Sequence, residues 1–196
     1  MFTAIARRCL NNRQLLTKRN KVTVSTLEAS ETATLRRPTP ILFLQTDNIY
    51  NSKEWTNNCK KELCESGYTS FDAVMTLPNH DNNDDQQQLL QICYQELSQA
   101  TSQLSFFPPL LIGKGETAWR VCQKYVANKP VSGLVLVHQD KDTSSLPSNE
   151  FEPFFPILVM GGGDDVPGFL EEGDWVVHKK DKDIKTILTW MDEEGM

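Results

Sequence analysis

The stretch from Pro108 to Val126 reads Pro-Pro-Leu-Leu-Ile-Gly-Lys-Gly-Glu-Thr-Ala-Trp-Arg-Val-Cys-Gln-Lys-Tyr-Val, and its residue types are spaced as a site would be. Leu110 to Ile112 is an apolar run too short for a helix and predicts a buried strand. Gly113 and Gly115 supply the backbone freedom of a sharp turn. Ala118, Val121, Cys122, Tyr125 and Val126 then share one helical face. Strand, sharp turn and helix make a nucleophile elbow, which lifts the side chain at its apex above a sheet. The apex here is Gly115, which has no side chain, and Lys114 and Glu116 flank it. Ser105 precedes the strand and Ser132 follows the helix, so neither reaches the apex by a simple shift of register.

Other residues could contribute acid–base chemistry. Asp164, after the glycine run Gly161 to Gly163, reads as an acid that orients a base, or as a turn aspartate. His178 is the only histidine late enough in the chain to be that base, and it reads equally as a structural histidine at a strand end. His80 and His138 fall in loops. A phosphate-binding reading of Gly113-Lys-Gly-Glu-Thr117 has the helix N-terminus in its favour. Against it, no serine or threonine follows the lysine, as the nucleotide-binding loop requires. Asp164 and Asp165 would repel phosphate at the second glycine run. What remains is capture of a small carboxylate or phosphate at Lys114. The five cysteines (Cys9, Cys59, Cys64, Cys93 and Cys122) show no paired metal spacing. No metal or cofactor is expected.

The elements that must position these residues alternate. Strands are predicted at Ile41 to Leu44, Phe71 to Met75, Leu110 to Ile112, Gly133 to Val137, Pro156 to Met160 and Trp175 to His178. Helices are predicted from Ser52, striped by Trp55, Cys59 and Leu63 and closed by Gly67, and from Asp84 to about Leu104. Two more follow Gly115 and carry Ile184, Ile187, Leu188 and Met191. Strands that are apolar throughout and alternate with helices predict an α/β fold: a doubly wound, mainly parallel sheet of about six strands with helices on both faces.

Taken together, these residues resemble the α/β-hydrolase superfamily over about residues 40 to 193. Its elbow reads roughly L-x-G-H-S-M-G-G. Gly113 matches the first glycine, Lys114 stands for the histidine, Gly115 for the nucleophilic serine, and Thr117 and Ala118 for the closing glycines. Trp55 through Gly67-Tyr68 and then Leu77-Pro78 resembles its W…GY…DLPGHG passage, with His80 in the place of that passage's histidine. Val131 to Val137 resembles V-x-G-L-V-L. Pro156 to Gly161, then Asp164 and Pro167, resembles P-x-L-V-x-x-G-x-x-D-x-x-x-P. The resemblance implies a truncated α/β-hydrolase fold without a lid and without the family's first two strands. It places a vestigial acid at Asp164 and puts Gln45-Thr46 where the oxyanion H-G motif belongs.

Charge divides the chain. The net charge is -6, yet residues 1–27 hold Arg7, Arg8, Arg13, Lys18, Arg19 and Lys21 and no acid, leaving -12 on the rest. An acidic body excludes a nucleic-acid groove, which needs a basic surface. No apolar run approaches the roughly 20 residues of a transmembrane helix. Phe2, Ile5, Cys9 and Leu16 share a helical face beside basic residues, as in a mitochondrial presequence. The expected organisation is a presequence-like segment over 1–27, a linker over 28–39 and a domain over 40–196.

The expected function is therefore a binding or scaffolding module of the mitochondrion, its matrix above all. It would take a protein partner or a small acyl or anionic ligand, serine-hydrolase chemistry having been lost with the nucleophile. The competing expectation is a hydrolase or lyase of a small ester or acyl compound that uses Asp164 and His178 on a water, which requires both to converge on Gly115. A third is a subunit of a larger mitochondrial assembly.

Overall fold

A computed structural model describes residues 22–47, 52–77, 83–102, 107–139, 144–152, 154–161, 170 and 174–196. The strands are β1 (Val22–Leu27), β2 (Ile41–Thr46), β3 (Ser70–Met75), β4 (Leu110–Lys114), β5 (Gly133–Val137), β6 (Ile157–Met160) and β7 (Val176–Lys179). The helices are α1 (Ser52–Glu65), α2 (Asn83–Thr101), α3 (Glu116–Val126) and α4 (Ile184–Glu193). One sheet takes all seven strands in the order β1-β3-β2-β4-β5-β6-β7. Only the β1–β3 pairing is antiparallel. The fold is of the α/β type, with a mostly parallel sheet.

The unbroken apolar runs form the middle of this sheet because both of their faces are covered. Every residue of β2, β5 and β6 is buried. On one face Leu42, Leu44, Leu111, Leu134, Leu136 and Val159 pack against Leu90, Cys93 and Leu97 of α2 and Ala118, Trp119 and Cys122 of α3. On the other, Ile41, Phe43, Ile112, Val135, Val137 and Met160 pack against Cys59 and Leu63 of α1 and Ile187, Trp190 and Met191 of α4. Each fully buried large aliphatic contributes about 1.5–3 kcal/mol of transfer free energy, so these two layers supply the main drive to fold.

Local signals set the helix ends. Gly67, at φ 90°, closes α1: Tyr68 N–H donates to Leu63 O at 2.9 Å and Gly67 N–H to Cys64 O at 3.1 Å, the paired bonds of a Schellman motif. A Cβ there would run into the Leu35 carbonyl. Asp183 caps α4, its side chain accepting from Lys185 N–H at 3.2 Å. Helix α2 ends at Thr101, three residues before the expected Leu104.

The described residues form seven strands where about six were expected, and the added one, β1, changes the domain boundaries. β1 is built from the last six residues of the segment read as presequence. It is an edge strand in which Val22 is buried, Val24 is half-buried and the other residues are exposed. That weak alternation sits beside a run of basic residues and is easily read as their continuation. Residues 28–39, read as a linker, are tied to the domain. Ser30 N–H donates to Cys64 O at 3.0 Å, Arg37 N–H to Gly67 O at 2.9 Å, and Ala29 is buried. The folded domain therefore extends back at least to Val22. The rest of the segment 1–27 read as presequence, residues 1–21, lies outside the described residues.

Candidate functional site

The strand order reverses about β2. From β2 the chain crosses through α1 to β3, then returns through α2 on the opposite face to β4. In open α/β sheets the crevice beyond the carboxyl ends at such a reversal is where ligands bind. Lys114, Gly115 and Glu116 stand at that end of β4.

Alternation along β4 explains each placement. Leu110 and Ile112 face α1 and α4, and Leu111 and Gly113 face α3. A Cβ on Gly113 would lie 2.9 Å from Cys122 Sγ and 3.5 Å from Trp119 Cδ1, so glycine lets α3 seat directly on β4. The buried Trp119 indole N–H is shared between Gly113 O at 3.1 Å and Val137 O at 3.2 Å, pinning the carboxyl ends of β4 and β5 together. Gly115 has φ 85° and ψ 157°, a region essentially reserved to glycine. Its N–H donates to Val137 O at 3.0 Å, and its carbonyl accepts from Trp119 N–H at 3.0 Å to start α3. The elbow is formed, and hydrogen occupies its apex.

Lys114 follows the phase of Ile112 toward α1. Its Nζ stands 4.8 Å from the centroid of the Trp55 ring. That ring is fixed by its indole N–H, which donates to Lys182 O at 2.8 Å, and by an edge contact with Phe43. Lys114 is half-buried and forms no ion pair with the described residues. Burial pushes its ammonium below the ordinary lysine value; Cys59 opposes that shift and Lys182 adds to it. The Lys182 side chain lies against Gly161, where a Cβ would run into it, so the segment after β7 is held over the end of β6.

Glu116 is already engaged. Its Oε1 pairs with Arg120, and its Oε2 accepts from Ser144 N–H at 3.1 Å, anchoring the loop after β5. Cys59 and Cys122, the thiols nearest the elbow on either face, are both pushed up to about 12 by burial. Neither is a thiolate nucleophile at neutral pH.

Of the remaining expected site residues, His178 is set apart from the elbow. His178 is exposed on β7, three strands from β4 along a register running Gly113, Leu136, Val159, His178. At about 4.8 Å per strand, that is roughly 14 Å from the elbow. Asp164 and His80 lie outside the described residues. His138 does stand beside the elbow: it follows Val137, whose carbonyl accepts from Gly115 N–H, and makes an edge contact with Trp119 at 6.1 Å between centroids. Among the described residues no cluster of His, Cys, Asp and Glu is placed to hold a metal ion, and no helix is long and apolar enough to cross a membrane.

Gln45 and Thr46, set where an oxyanion motif was sought, belong to β2 itself. Gln45 enters a buried network that sequence reasoning missed. Its Nε2 donates to Asp72 Oδ1 at 2.9 Å, its Oε1 accepts from Thr56 Oγ1 at 3.0 Å, and Lys60 Nζ meets Asp72 Oδ2 at 3.3 Å. Gln45 shares the phase of Ile41 and Phe43 along β2, and Thr56 and Lys60 are i, i+4 on α1. Polar residues at inward-facing positions were the available signal.

No model of a known protein family matches the chain, and no curated protein matches it with significance.

Proposed function

We propose that this chain is a degenerate α/β-hydrolase-like protein that binds rather than hydrolyses, a mitochondrial binding or scaffolding module that captures a small acyl or anionic ligand at Lys114. One observation carries the reading. At the point where the strand order reverses, a glycine apex adjoins a half-buried ammonium that rests on an indole and has no carboxylate counter-ion among the described residues. The parallel sheet packed with helices on both faces, and the strand–turn–helix at β4, support the hydrolase-like part. An anion entering the crevice would meet Lys114 and the free N–H groups opening α3, both favourable to negative charge.

The competing reading, a hydrolase or lyase without an acyl-enzyme, rests on Asp164 and His178 converging on Gly115, and the position of His178 three strands away gives it no support. Without a nucleophile the acyl-enzyme route is closed.

Fluorophosphonate probes and short-chain aryl esters test the non-catalytic part: no serine should be labelled and no ester turned over, and stoichiometric labelling of any serine ends the proposal. Titration calorimetry with acetate, butyrate and acetyl phosphate tests the ligand. Binding to the wild type that weakens about tenfold or more in Lys114→Met supports it, and equal binding by the two proteins refutes it. Residues 1–21 fused to a fluorescent reporter should carry it into mitochondria. A reporter left in the cytosol removes that part of the reading.

A further inference from the structure

A cavity of about 240 Å³ opens at the amino ends of the strands, on the edge of the sheet opposite the elbow, between the C-terminal turns of α2 and α3. Its apolar walls include Leu42 and Phe71, and four of its lining residues are prolines: Pro40, Pro108, Pro109 and Pro130. Proline has no N–H, so this much of the lining can offer a guest only carbonyl oxygen.

Of the four hydroxyl groups in the lining, those of Thr101, Tyr125 and Ser102 have their protons already committed, and Ser98 is the fourth. Thr101 Oγ1 lies 2.9 Å from Leu97 O and 3.2 Å from Ser98 O, and a carbonyl only accepts, so the threonine proton points there. The contact of 3.1 Å between Thr101 Oγ1 and Tyr125 Oη must then be donated by the tyrosine. Burial pushes the Tyr125 phenol up from its usual value, which keeps that proton in place. Ser102 Oγ donates to Gln99 O at 2.8 Å. Tyr125 Oη and Ser102 Oγ therefore keep lone pairs and no free proton. The negative ends of two helix dipoles add to the same polarity, which disfavours an anion. Among the described residues the only charged one in the lining is Lys129, which is exposed and disfavours a cation.

We propose that this cavity is a binding site for a small neutral aromatic molecule carrying one hydrogen-bond donor, of the phenol or indole class, with its ring among the prolines and its O–H or N–H on Tyr125 Oη. A dry engineered cavity of about 150 Å³ takes benzene, and about 240 Å³ here leaves room for a substituted ring. The site is independent of the Lys114 crevice.

The test is titration of the full chain with p-cresol, toluene and benzoate, followed by backbone amide shifts. p-Cresol should perturb Leu42, Phe71, Thr101 and Tyr125, and should bind about three- to tenfold tighter than toluene, the worth of one hydrogen bond. Benzoate should bind more weakly than either. In the double variant Thr101→Val/Tyr125→Phe the preference for p-cresol over toluene should fall to about one. Equal affinity of the wild type for p-cresol and toluene overturns the proposal. So does benzoate binding as tightly as p-cresol, or shifts confined to residues outside the cavity. The three-ligand comparison on the wild type decides the matter even where the double variant fails to fold.

Discussion

Replacing Gly113 by alanine inserts one methyl group where α3 touches β4, and its cost can be worked from two distances. The added Cβ falls 2.9 Å from Cys122 Sγ and 3.5 Å from Trp119 Cδ1. The second is an ordinary contact. The first requires the sulfur, which is fully buried on a helix anchored by Trp119, to move by about half an ångström. Overpacking a tight core costs about 1–3 kcal/mol, and the loss of glycine's freedom in the unfolded chain returns about 0.4–1 kcal/mol. The net is a destabilisation of about 1–2 kcal/mol, or about 2–8 °C in Tm for a chain of this size. A double-mutant cycle identifies the cause. Cys122→Ala removes the obstructing atom, so Gly113→Ala should cost little in that background, with a coupling of about 1 kcal/mol or more. Urea unfolding of the four proteins supplies the numbers. If the two effects add within about 0.5 kcal/mol, the sulfur contact is not the reason for glycine at position 113.

Further outcomes are expected. Gly115→Ser forces a side chain into a backbone region that only glycine readily adopts; it should cost about 1–3 kcal/mol and yield no esterase activity, and a burst of acyl-enzyme would refute the non-catalytic reading of the elbow. Lys60→Met leaves Asp72 nearly buried without its cation and should cost about 3 kcal/mol, read from the denaturant midpoint; an unchanged midpoint would show that the pair is inconsequential. The thiols of Cys59 and Cys122 titrate near 9.0 when unfolded and at about 12 when folded. The unfolded chain therefore loses these protons first, and stability should fall as pH rises from about 9 to 12. Lys114, lowered from 10.5 by burial, acts in the opposite direction below that pH, but as one group against two. Cys122→Ala should flatten the alkaline decline, and an equal slope in wild type and variant would contradict the burial assigned to that thiol.

The sequence displays most of the sheet because its central strands are covered on both sides. Ile41 to Leu44, Leu110 to Ile112 and Gly133 to Val137 are continuous apolar runs that need no partner to be recognised. Helices α1, α3 and α4 are legible for a similar reason, each burying one periodic stripe. β1 was not, because an edge strand owes its position to β3, some fifty residues away, and shows little apolar pattern of its own. The elbow could be placed from Gly113 and Gly115 alone, since a tight turn is a local matter. The setting of Lys114 could not, because Trp55 lies on a different helix and reaches it only once α1 has folded over the sheet. The Gln45–Asp72–Lys60 network was hidden likewise: each member looks unremarkable until strand phase and helix position are combined. Separation of His178 from the elbow follows from strand order, which no single segment encodes.

The setting of Trp55 makes the crevice optically readable. Of the four tryptophans, Trp119 and Trp190 are buried and Trp175 is exposed. Trp55 alone stacks beneath an ammonium while its N–H holds the backbone at Lys182. Indole emission responds to nearby charge and to the loss of a hydrogen bond. Drawing Lys114 off the ring, or swinging the segment at Lys182 away, therefore alters the fluorescence of this one residue. Events at the mouth of the sheet can be followed in the unlabelled chain, with Trp55→Phe as the blank.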